Sequence, residues 1–117
     1  MAKVLISEPH DDISALLELV VRRLGHEPVP FSGEAAEQIG VDAAVIEPGE
    51  AAGLRLAQSL RAQNVPVLFT SIYPPSDKLL ELTPSAYLVK PFPLYALEQA
   101  LEQALTQLAP SAAPALL

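Results

Sequence analysis

Short uninterrupted apolar runs recur along this chain, and stretches with helical spacing lie between them. Val4-Leu5-Ile6, Ala43-Ala44-Val45-Ile46, Val65-Pro66-Val67-Leu68-Phe69-Thr70 and the run from Ser85 to Val89 read as strands. A strand with one wet face would alternate polar with apolar residues, so these continuous runs belong to a sheet covered on both faces. After the first run, Ile13, Leu16, Leu17, Val20 and Leu24 follow helical spacing. Asp11 and Asp12 suit the positive end of that helix as capping residues, Arg22 and Arg23 suit the other end, and Gly25 suits the position just past it. Glu27 to Phe31 reads as a strand whose Pro28 and Pro30 cannot donate ladder bonds, which puts it at a sheet edge. Ser32-Gly33-Glu34 opens a short helix to about Ile39. A longer helix from about Glu50 to Gln63 carries Leu54, Ala57, Leu60 and Arg61 on one side. Ser76 or Asp77 caps a short helix to about Leu82. The last helix starts near Leu94 with an apolar stripe of Leu94, Leu97, Leu101, Ala104, Leu105 and Leu108, and Pro110 ends it.

Strands alternating with helices predict an α/β domain with a parallel sheet and right-handed crossovers. The edge character of the second strand favours the order 2-1-3-4-5, a single doubly wound, flavodoxin-like (βα)5 domain. It spans residues 1–109, with an Ala/Pro-rich flexible tail over 110–117. At 117 residues one domain is the expectation. With no cysteine, disulfides and thiolate metal sites are excluded. A net charge of −7 argues against nucleic-acid binding, which uses a basic stripe. No apolar run approaches the roughly 18 residues of a membrane span, and the N-terminus lacks a signal-peptide layout. A soluble cytoplasmic protein is the expectation. His10 and His26 have no second ligand at metal spacing and read as solvated loop residues.

The 2-1-3-4-5 order opens a crevice at the C-terminal ends of the first and third strands. Glu8, Glu47, Ser71 and Lys90 end the first, third, fourth and fifth strands. A lysine at the tip of a buried strand needs an anion, because an unpaired buried ammonium is costly.

The run Tyr87-Leu88-Val89-Lys90-Pro91-Phe92 closely resembles the last strand of bacterial response-regulator receiver domains, and the resemblance extends over about residues 3 to 108. It implies that Glu8 matches the first of two Mg²⁺-holding acids, and that Glu47 occupies the phosphoacceptor position. It makes Ser71 the strand-end Thr/Ser, Tyr87 the switch aromatic and Lys90 the pocket lysine, with Lys90-Pro91 cis. Two departures stand out. Glu47 replaces aspartate, and its extra methylene carries the carboxylate roughly 1.5 Å further into the space of a phosphoryl group. In-line transfer depends on such positioning. Pro9 falls where the second acid belongs and has no ligand atom, which weakens Mg²⁺ binding. The loop after Glu47 also looks about two residues short.

The resulting expectation is a degenerate receiver-like signalling domain of a two-component or phosphorelay system. It is not an enzyme and has no catalytic residue or cofactor. A permanent Glu47–Lys90 ion pair stands in for phosphorylation, and the domain acts by binding a histidine kinase or a downstream signalling protein. A homodimer is expected through the face built by the short fourth helix, the last strand and the last helix. If a metal binds, Glu8 and Glu47 hold it. The first alternative is an authentic Mg²⁺-dependent phosphoacceptor. The second is a small flavodoxin-like ligand-binding domain or enzyme, disfavoured because Ser7 to Asp12 is acidic and lacks glycine.

Overall fold

A computed structural model describes residues 1–31, 40–49 and 51–108, without the side chains of residues 107 and 108. The helix expected over 32–39, a helix start at residue 50 and the tail beyond 108 lie outside the described residues. The strands are β1 (Lys3–Ser7), β2 (Glu27–Pro30), β3 (Ala43–Ile46), β4 (Val67–Ser71) and β5 (Ala86–Val89). The helices are α1 (Asp11–Arg23), α2 (Ala51–Ala62), α3 (Asp77–Leu80) and α4 (Leu94–Leu108). All strand pairs are parallel, in the order β2-β1-β3-β4-β5. The proline-bearing strand is indeed at an edge. Ser7 pairs with Ile46, Ile46 with Phe69 and Ser71 with Val89, so Glu8 and Glu47 sit level while β4 and β5 run two residues further before Lys90.

Alternate residues of each central strand feed opposite faces, as the pleat demands. Val4, Ile6, Val45 and Leu68 pack under α1 and α4 with Leu17, Val20, Val21, Leu97, Ala100, Leu101 and Ala104. Leu5, Ala44, Ile46, Val67 and Phe69 pack under α2 with Leu56, Ala57 and Leu60. That pattern corrects one expectation: Leu56, not Leu54, is the core leucine of α2, in step with Gly53, Ala57 and Leu60. Asp11 and Asp12 do occupy the first turn of α1, but the N-cap is His10 and no side chain caps the helix. The aspartates therefore act through charge on the helix dipole alone. Gly25 follows the helix with φ +88°, a left-handed conformation that suits glycine. In α3 the cap is Ser76, whose hydroxyl accepts from Leu79 N at 3.3 Å.

Neither edge strand is fully buried. α3 has only four residues and buries none of them. No β5 residue is fully buried, and Leu80, Val89 and Tyr95 are exposed along that edge.

Candidate functional site

The crevice at the strand ends holds Glu8, Glu47 and Lys90 together. Lys90 Nζ donates to Glu8 Oε1 at 2.8 Å and lies 3.8 Å from Glu47 Oε2. Three inter-strand steps separate β5 from β1, on the order of 14 Å at normal sheet spacing. A lysine and a glutamate must both lean inward to meet across that gap, and their bond passes over the ends of β3 and β4. Glu47 stands beside its path. The side chain of Glu8 is 0% exposed, that of Glu47 12% and that of Lys90 14%. The ammonium thus has its anion. The anion that bonds it directly is Glu8, whereas the sequence pointed to Glu47.

The loops explain the division. Pro9 turns the chain after Glu8 and brings His10 back over it. His10 N donates to Glu8 Oε2 at 3.2 Å, and His10 Nδ1 lies 3.1 Å from the same oxygen. Burial pushes the Glu8 carboxyl toward its neutral form. The hydrogen bonds from Lys90 and His10, with the Lys90 charge, outweigh that and hold its pKa below the ordinary value. After β3, Pro48-Gly49 curls the backbone so that Gly49 N donates to Glu47 Oε1. A Cβ on Gly49 would come within 2.6 Å of that oxygen. Glu47 is pulled back toward its own loop, and its second oxygen keeps only the long contact with Lys90.

Ser71 is buried, and its hydroxyl accepts from Tyr73 N at 3.1 Å, which shapes the turn after β4. Its main-chain oxygen accepts from Lys90 N at 2.7 Å and fixes the height of the lysine. Tyr87 lies edge-on to Phe69, with ring centroids 6.0 Å apart, and its hydroxyl donates to Tyr73 O at 2.9 Å. Lys90-Pro91 is cis. The sequence reading overlooked His10 and Gly49. Each lies two residues after a strand-end glutamate with a proline between, a spacing at which the backbone N–H turns back onto the carboxylate.

The residues fit Mg²⁺ poorly. The ion takes oxygen ligands in octahedral geometry. Here Pro9 offers no side-chain ligand, both Glu8 oxygens accept hydrogen bonds, and one Glu47 oxygen is engaged by Gly49. Among the described residues no three His, Cys, Asp or Glu side chains cluster as a metal site. The second disfavoured alternative meets a similar obstacle, since the loop after β1 aims a buried carboxylate, not backbone N–H groups, at the crevice.

Comparison of the sequence with protein-family models and with curated proteins finds no match. Comparison of the structure with solved structures does. The receiver domain of Francisella response regulator 1452 superimposes with a TM-score of 0.76 at 23% identity, over 92% of this chain and 98% of that one. The signal receiver domain of a modulated diguanylate cyclase from Desulfovibrio desulfuricans gives 0.72 at 24%, over 92% and 95%. A response regulator from Thermotoga maritima gives 0.73 at 15%, over 91% and 98%. The chain has the receiver-domain fold. Within that fold Glu8, Glu47 and Lys90 directly follow β1, β3 and β5, Ser71 ends β4, and Tyr87 lies inside β5. No helix among the described residues is long and apolar enough to cross a membrane.

Proposed function

We propose that this chain is a receiver-type signalling domain of a two-component or phosphorelay system that works without phosphorylation, by binding a protein partner. The observation that carries the reading is the closed strand-end cluster. Glu8, the remaining acid after β1, is spent on Lys90 and His10, and Pro9 removes its companion. Glu47 stands at the acceptor position with one oxygen held by its own loop. A phosphoryl group needs a positioned nucleophile and a metal that neutralises its oxygens, and this donor set supplies neither. The ammonium that would meet a phosphoryl oxygen is already neutralised, so the domain holds one state. Its output is non-enzymatic. A histidine kinase or a downstream signalling protein is the partner class, and self-association through the β5 edge belongs to the same proposal. Leu80, Val89 and Tyr95 give that edge its apolar surface.

The test is incubation with acetyl phosphate and Mg²⁺, followed by intact mass. The expected result is an unchanged mass. A stable, Mg²⁺-dependent gain of one phosphoryl group mapped to Glu47 overturns the proposal in favour of an authentic phosphoacceptor.

A further inference from the structure

Two carboxylates share one ammonium at the strand ends. Lys90 is bonded to Glu8, so the charge of Glu47 is the one left largely uncompensated. Asp11 and Asp12, both exposed in the first turn of α1, add two more negative charges beside the crevice. Directly above lies a cleft of about 220 Å³, lined by Glu47, Lys90 and His10 together with Pro9, Gly49, Ile72 and Tyr73. Its walls are largely apolar. Ile72 is 62% exposed and Tyr73 67% exposed, unusual for two adjacent large side chains on a chain this acidic.

A narrow apolar cleft with one under-compensated carboxylate at its floor matches a particular shape of ligand: a long apolar stem with a cationic head. Resting on the reading that the domain works by binding a protein, we infer that this cleft receives an arginine side chain of the partner, flanked there by apolar residues. The guanidinium head meets Glu47 Oε2, the oxygen that Gly49 leaves free. Its flat face lies against the Tyr73 ring, and Ile72 and Pro9 cover the stem. Arginine suits the site better than lysine because it is planar, more weakly hydrated and able to stack on an aromatic ring. It is also prominent among the residues that dominate binding interfaces. The incoming charge balances the cluster without displacing Lys90 from Glu8. The surrounding negative charge steers a basic segment toward the crevice.

The experiment is selection of a randomised heptapeptide library, displayed on phage, against the immobilised full chain. The enriched peptides are then titrated into the labelled protein and followed by amide shifts. The expected result is enrichment of arginine beside apolar residues, with shifts centred on Gly49, Ile72 and Tyr73. Glu47→Gln, checked for folding by circular dichroism, should weaken binding tenfold or more, and so should Tyr73→Ser. Replacing the peptide arginine by citrulline should do the same. Enriched peptides without a cation, binding equal in Glu47→Gln, shifts elsewhere, or no enrichment each overturn the inference. Dimerisation of the wild type that Glu47→Gln abolishes also overturns it, because the occupant is then a second copy. The two tests are separable: a phosphoryl adduct on Glu47 sinks the proposed function without touching peptide binding, and failed selection sinks the cleft without touching the mass result.

Discussion

The loop after β1 and the loop after β3 solve the same problem differently. Each follows a buried strand, begins with a glutamate and continues with proline, and each returns a backbone N–H to its own carboxylate. The first loop leaves Glu8 Oε1 pointing across the sheet to Lys90, fully buried and directly bonded. The second draws Glu47 back and leaves it a full ångström further from the same ammonium. The lesson is that strand-end position alone does not assign an ion pair. The turn that follows decides which carboxylate reaches the shared cation.

The comparison can be broken by mutation. Glu8→Gln should cost about 2–3 kcal/mol in urea unfolding at neutral pH, because it leaves the largely buried Lys90 charge with only the longer contact to Glu47. Glu47→Gln should cost under about 1 kcal/mol, since it removes only the long contact. Equal losses would mean that the two loops are equivalent after all. Gly53→Ala sharpens the β3 side. Alanine normally gains about 1 kcal/mol over glycine inside a helix. Here a Cβ would come within 2.5 Å of the Glu47 carbonyl oxygen, so backbone must move and the sign should reverse to a loss of about 1–2 kcal/mol. A gain would show that the α2 start is free to shift.

The pH dependence follows from Glu8. Its folded pKa is depressed, so the folded protein binds that proton less readily than the unfolded chain. The stabilisation is complete above the ordinary glutamate value of about 4.3 and is lost as pH falls through the depressed folded value. The stability gap between wild type and Glu8→Gln should therefore be constant near neutrality and close in acid. A gap that persists at pH 2 would assign the effect to packing. The smallest effect is expected behind Tyr73. Tyr87→Phe removes one hydroxyl bond to Tyr73 O and should cost about 0.5 kcal/mol, with a shift of the Tyr73 amide as the more sensitive reading.

Much of the architecture was legible because it depends on local chemistry. Pro28 and Pro30 forced β2 to an edge and Gly25 marked the end of α1, whereas the fourth strand, read as starting at Val65, begins only after Pro66, at Val67. The α2 stripe was misread at one leucine, Leu54 for Leu56. Leu54 and Leu56 are equally apolar in sequence, and only docking against Ile46 and Phe69 shows that Leu56 faces inward. His10 was read as a solvated loop residue. It is 73% exposed, yet it also holds Glu8, since exposure of a ring does not prevent one nitrogen from reaching a neighbour.

By itself the sequence determined that apolar strands alternating with helices make a parallel α/β sheet, and that an acid, a second acid and a lysine end three of its strands, although β5 proved only half-buried. Those facts follow from burial, proline's missing N–H and the rule that a buried charge needs a partner. Only the tertiary structure decided that Lys90 bonds to Glu8 and leaves Glu47 under-compensated beneath Ile72 and Tyr73. The physical reason is that a difference of about one ångström between loops far apart in sequence decides which carboxylate bonds the ammonium, and no residue type carries that distance.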